Sequence, residues 1–99
     1  MTDPRTAIRQ SLSDPQIQAA LGARLRSYRE SENLCLEALA ERAGLSHITL
    51  HKAEHGSNFT IRTLLRVLRA LGRLEQLDRF LPPTPRSPLD LIDEETDGG

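Results

Sequence analysis

Apolar residues recur along most of this chain at intervals of three and four, the spacing of helices that bury one stripe. Ile17, Ala20, Leu21, Leu25 and Tyr28 set such a stripe over about residues 15–31. Asp14-Pro15 is suited to cap that helix, with proline at its first position, and Gly22 is a candidate interruption. Ser31 to Asn33 read as a turn. Leu36, Leu39, Ala40 and Ala43 define a second helix over about 36–43, and Gly44 can end it in the left-handed conformation. Leu45 returns to the core, and the Ser46 hydroxyl can cap a third helix over about 47–54. In that helix Leu50 and Ala53 face inward, while His47, His51 and Lys52 face outward. Gly56 ends it, and Ser57 to Thr60 form a loop. Thr60 is then the cap of a fourth helix over about 61–71, striped by Ile61, Leu64, Leu65, Leu68 and Leu71. Gly72 stops that helix, and a last one over about 74–81 presents Leu74, Leu77, Phe80 and Leu81. Pro82, Pro83, Pro85 and Pro88 exclude a continuous helix beyond it.

The pattern predicts an all-α fold of five helices. It divides the chain into a flexible N-terminal segment (1–13), a helical domain (14–81) and a Pro-rich tail (82–99). Inside the tail, Ser87 to Ile92 (SPLDLI) forms a short apolar island carrying Leu89, Leu91 and Ile92. Ninety-nine residues allow one small core, and with 37% hydrophobic and 3% aromatic residues that core is built from Leu, Ile and Ala. Such a composition suits packed helices better than a sandwich. No run reaches the roughly 18 apolar residues of a membrane span. No basic start leads into a long apolar stretch either, so a cytoplasmic protein without membrane contact is expected. The lone Cys35 excludes an internal disulfide and is read as an inert, partly buried thiol.

The net charge of -1 hides an uneven distribution. Residues 1–81 hold 12 Arg/Lys against 9 Asp/Glu, a net +3. Residues 82–99 set Arg86 against Asp90, Asp93, Glu94, Glu95 and Asp97, a net -4. A weakly basic domain with an acidic tail is compatible with nucleic-acid binding without demanding it.

The chemistry-bearing residues cluster in the third helix. His47, His51 and His55 lie at i, i+4 and i+8, on one face. The outer two are about 12 Å apart along the axis, so one metal ion cannot reach all three. A two-histidine site completed by another chain, a solvent-facing row and a DNA-reading row all remain open from the residues alone. The sequence contains no glycine-rich phosphate loop, paired-cysteine metal pattern or nucleophile elbow, so neither an enzyme nor a cofactor is expected. Glu54, an acid in a last helical turn, calls for a counter-charge against the helix dipole. Arg62 or Arg24 is the expected partner. Two short helices meeting steeply at Gly44 can place the second in the major groove of DNA.

The run LEALAERAGLSHITLHKAEHG resembles the helix-turn-helix of phage-repressor and Cro-like regulators, the XRE family. Leu39-Ala40, Gly44, Leu45, Ser46, Thr49, Leu50, Glu54 and Gly56 carry the match, which extends from Leu21-Gly22 to about Leu81. The resemblance implies a compact five-helix, lambda-repressor-like domain that binds double-stranded DNA as a homodimeric transcriptional repressor. It implies base contacts from His47, Ile48, His51 and Lys52, and phosphate contacts from Arg24, Arg29, Ser46, His55, Asn58 and Thr60. Leu74, Leu77, Phe80 and Leu81 are the expected dimer contact. Cys35 and Leu36 depart from the family, which often has Thr or Ser and then Gln there. Cysteine caps poorly and Leu36 cannot bond a phosphate. A second resemblance, in LLRVLRALGRLEQLDRFLPP and SPLDLI, is to small regulators encoded beside high-persistence kinase toxins. It implies an autoregulatory antitoxin with a serine/threonine kinase toxin as partner, held through Leu89, Leu91 and Ile92. The alternative is a protein–protein interaction module that keeps the fold and binds a partner in place of an operator.

Overall fold

A computed structural model describes residues 2–85 of the chain. Five helices and no strands are present among them: α1 (Asp14–Ser31), α2 (Leu36–Ala43), α3 (His47–Glu54), α4 (Ile61–Ala70) and α5 (Gln76–Phe80). The all-α, five-helix expectation holds.

Helix α1 starts one residue earlier than the Asp14-Pro15 signal suggested. Ser13 is the cap: its Oγ accepts from the Gln16 N–H (3.3 Å), and the Gln16 side chain accepts from the Ser13 N–H (2.8 Å). This reciprocal box satisfies two donors that the helix leaves open. Gly22 does not interrupt the helix. It is buried where α1 crosses the end of α3, and a Cβ there would run into the Ala53 carbonyl oxygen and lie 2.7 Å from that of Glu54. Glycine is thus required by close approach of two backbones.

The core is small and aliphatic. Leu39 from α2, Leu50 from α3 and Val67 from α4 are fully buried, with Leu25, Ala40 and Leu68 completing the cluster. Alanines at 20, 23, 43 and 53 let the helices approach closely. The α4 stripe differs from the one expected. Thr63, Val67 and Leu68 are buried, whereas Ile61 is 68% exposed and Leu65 lies at the rim. Leu64, Leu68 and Leu71 of the expected stripe do meet the core, but its other edge runs through the β-branched pair Thr63 and Val67 rather than Ile61 and Leu65.

Helix α5 is shorter than the expected 74–81. Leu74 and Leu77 are half-buried against the chain's own core, and Phe80 and Leu81 stand in solvent. Arg73 lies over the Tyr28 ring, 4.2 Å from its centroid, and joins this end to α1. Between the N-terminal segment and α1, Arg24 donates to the Pro4 carbonyl (3.1 Å) and the Thr6 carbonyl (2.9 Å). No helix among the described residues is long and apolar enough to cross a membrane. The island residues Leu89, Leu91 and Ile92 lie outside the described residues.

Candidate nucleic-acid interface

The turn between α2 and α3 is fixed by its own backbone. Gly44 takes φ 68° and ψ 32°, the left-handed region. The Leu45 N–H then reaches back to the Ala40 carbonyl (2.9 Å), closing the end of α2. Ser46 is extended (φ -69°, ψ 153°) and caps α3, accepting from the Thr49 N–H (3.1 Å) and donating to Thr49 Oγ1 (2.9 Å). From α4, Arg66 Nη1 donates to the Gly44 carbonyl (3.1 Å) and clamps the turn from the far side. Cys35, at the start of α2, is exposed rather than partly buried, and makes no capping hydrogen bond.

With its start set, α3 buries Leu50, Ala53 and Glu54 and turns His47, Ile48, His51 and Lys52 to solvent. Ile48 is 58% exposed, an aliphatic side chain left in water on an otherwise polar row. The side chains of His47, Ile48 and Lys52 have no hydrogen bond or ion pair among the described residues. The His51 and His55 rings stack with centroids 4.2 Å apart. His55 Nδ1–H donates to the His51 carbonyl (2.8 Å). In that tautomer the outward Nε2 of a neutral ring accepts, so His55 meets a phosphate oxygen only as an imidazolium.

The far end of α3 is held by a buried ion pair. Arg29 Nε donates to Glu54 Oε2 (2.7 Å), and Arg29 Nη2 donates to Glu54 Oε1 (3.1 Å). Only 2% of the Glu54 side chain is exposed, against 11% for Arg29. The third nitrogen, Nη1, donates to the Leu34 carbonyl (2.9 Å) in the turn before α2. One guanidinium therefore joins α1, the turn into α2 and the end of α3. The Glu54 hydrogen bonds hold Arg29 above its ordinary guanidinium value, with burial pulling the other way. The pair also offsets the unfavourable placement of an acid at a helix C-terminus.

This overturns two expectations. Arg29 is not at the phosphate face, because all three of its nitrogens are committed inside the domain. The counter-charge of Glu54 is Arg29, not Arg62 or Arg24. A twenty-five-residue separation hid that pairing, although an arginine on the stripe side of α1 and an acid at the end of α3 were the available signal. Arg24 is likewise occupied, by the N-terminal carbonyls.

The remaining expected residues divide by position. Ser46, Asn58 and Thr60 are exposed near the starts of α3 and α4. The Ser46 and Thr60 hydroxyls are both engaged as caps, Thr60 accepting from the Thr63 N–H (3.1 Å). Asn58 has a positive φ of 50°, which suits its short side chain and turns the loop after α3. Arg62, exposed in the first turn of α4, adds a cation beside that loop that the phosphate set had omitted. Of the dimer residues, Leu74 and Leu77 are used within the domain, and Phe80 (64% exposed) and Leu81 (75%) are not.

A family model described as a helix-turn-helix domain matches residues 20–80. That span runs from Ala20, the first buried residue of α1, through Phe80 and takes in the turn, α3 and both clamps. A comparison with curated proteins gives no match.

Proposed function

The chain belongs to the helix-turn-helix domain family, and on that premise we propose that it is a transcriptional repressor reading double-stranded DNA as a homodimer. The observation that carries this reading is the outer face of α3. His47, Ile48, His51 and Lys52 form a solvent-facing row on a helix whose two ends are fixed independently. Entering the major groove with this face, Lys52 donates to guanine O6 or N7. His47 and His51 bond base edges, and Ile48 packs on a thymine methyl. Phosphate contacts fall to Asn58, Arg62 and the imidazolium form of His55; Ser46 and Thr60, whose hydroxyl hydrogens go to Thr49 Oγ1 and Thr63 Oγ1, join them only by giving up those bonds. Phe80 and Leu81 supply the apolar contact to a second copy, so that two α3 helices meet successive major grooves.

Selection of bound sites from random double-stranded DNA tests the reading. An enriched two-fold symmetric site, with half-sites about one helical turn apart, is the expected result. His51→Ala with Lys52→Ala should then weaken binding to that site by about 10- to 100-fold, from about 1–3 kcal/mol of base discrimination, and leave the fold intact. No enriched site would overturn it.

A second reading is favoured by one feature: Leu36 packs on the core and offers DNA no donor, while Phe80 and Leu81 present apolar surface. It is the protein–protein module, with the antitoxin role and a serine/threonine kinase toxin as its specific form. Only the leucine spacing of the α4–α5 region and the SPLDLI island support that form. A stable partner complex with no footprint on any genomic DNA separates this reading from the first; removing residues 83–99 tests whether the two functions coexist. Kinase binding lost with DNA binding kept assigns the partner site to the tail.

A further inference from the structure

On the side of the domain formed by α1, α4 and α5 lies an open groove of about 160 Å³. Leu21 and Leu25 line it from α1, Leu64 and Leu68 from α4, and Leu77 and Phe80 from α5. This is small for a drug-sized ligand, whose sites run from about 300 Å³ upward. It suits a few aliphatic side chains. The only charged residue in its lining is Arg24, whose partners are neutral carbonyls, so its positive charge is uncompensated there. Arg73 sits over Tyr28, another lining residue, and with Arg79 lines an adjoining cleft that also holds Glu32 and Glu75. The acids of this end, Glu75 and Asp78, are not among the lining residues of the groove itself.

The chain leaves the domain beside this groove. Phe80 forms one wall, and the SPLDLI island begins seven residues later. Its three apolar residues, Leu89, Leu91 and Ile92, are interleaved with Asp90 and followed by Asp93, Glu94, Glu95 and Asp97. We propose that this tail folds back on its own domain, placing the Leu89–Ile92 side chains in the α1/α4/α5 groove and its acids toward Arg24, Arg73 and Arg79.

Reach and charge both support a docking in cis. Helices pack 8–10 Å apart, whereas the eight residues from Leu81 to Pro88 span up to roughly 25 Å even when proline-extended. A tether of that length presents the island to its own groove at roughly millimolar effective concentration, well above the concentration of a second copy. Docking there also keeps a net -4 segment away from the α3 face, where it would compete with phosphates for Lys52 and Arg62.

Paramagnetic broadening in the full-length chain tests this. A nitroxide is attached at Thr96→Cys in a Cys35→Ser background, and backbone amide intensities are compared with the reduced label. The expected result is selective loss of signal at Leu21, Leu25, Leu64, Leu68 and Leu77, with His47 to Lys52 unaffected. The loss should vanish in the same chain carrying Leu91→Asp and Ile92→Asp. With Leu81→Ser in every chain to remove the proposed second-copy contact, a mixed sample in which only unlabelled chains carry nitrogen-15 should show no such loss. Broadening in the mixed sample would seat the tail on a second copy and overturn the proposal. Broadening centred on α3, or none that is selective, would overturn it as well. None of these outcomes depends on whether the protein has an operator.

Discussion

Helices α3 and α5 are both short, and they are held in opposite ways. Helix α3 is eight residues long, capped by Ser46, and fixed through Glu54 to Arg29 at its end. Helix α5 is five residues long, has no side-chain cap and contains no buried residue. It rests on half-buried Leu74 and Leu77 and leaves Phe80 and Leu81 in solvent. The first is positioned by directional polar contacts and shows a polar face. The second is positioned by non-directional apolar contact and shows an apolar face. A surface that must match base edges needs the former, since hydrogen-bond readout tolerates little displacement; a surface that associates through apolar area tolerates the latter.

The strongest way to break this contrast is to remove one member of the buried pair. Glu54→Ala leaves Arg29 charged, buried and without its carboxylate, and should cost about 3–5 kcal/mol of folding stability. Urea denaturation measures it. Replacing both partners, Arg29→Met with Glu54→Leu, should recover most of that loss, because no buried charge is stranded. If the double variant is as unstable as the single one, the Arg29 bond to the Leu34 carbonyl is the larger contribution. A smaller effect is expected at Gly22. A Cβ at this position meets backbone oxygens of Ala53 and Glu54 that cannot swing aside. Gly22→Ala should destabilise by about 1–3 kcal/mol and push α1 off the end of α3. A loss below that range, by thermal unfolding, would mean the seam is slack and α3 is less firmly placed than its contacts imply.

Both of those residues also mark where the sequence was legible and where it was not. Helix boundaries from 36 to 54 were readable because Gly44 and Ser46 are local signals: one permits a positive φ, the other supplies a hydroxyl to nearby N–H groups. The outward row of α3 followed from the same register. Gly22 was readable as unusual, but its cause is a neighbouring helix thirty residues away, and local grammar reads such a glycine as a break. Arg29 was misassigned for the same reason. On a solvent-facing count it is a cation free for phosphate; only the packing of α1 on α3 brings Glu54 to it. In α4, Leu65 and Val67 lie on nearly opposite sides of the line through Leu64, Leu68 and Leu71, and the leucines alone could not set which side is buried.

The next effect is a gain. Cys35 stands at the cap of α2 in extended geometry (φ -76°, ψ 164°) yet makes no capping bond. Ser46 and Thr60, in similar backbone conformations, both do. Cys35→Ser should therefore stabilise the domain by about 0.5–1 kcal/mol, measured as a higher urea midpoint at unchanged slope. Cys35 is exposed, so little packing is lost in exchange. The substitution also sharpens the contrast with α5, since it adds a polar fixture to the helix-turn-helix and none elsewhere.

The smallest effect on folding is expected at Leu81, and there the contrast between the two helices is most exposed to failure. Its side chain is 75% exposed, and its backbone N–H bonds the Leu77 carbonyl (3.0 Å) whatever the side chain is. Leu81→Ser should shift stability by less than about 0.5 kcal/mol. Sedimentation equilibrium on the same variant should nonetheless show weaker self-association, because the substitution removes apolar area from the surface proposed to meet a second copy. Affinity for the full symmetric operator should fall with it, while affinity for an isolated half-site stays the same, since α3 and its clamps are untouched. If folding stability falls by well over that amount instead, Leu81 belongs to the core of the monomer. The apolar end of α5 would then be structural, and the division between a reading helix and an associating helix would no longer hold.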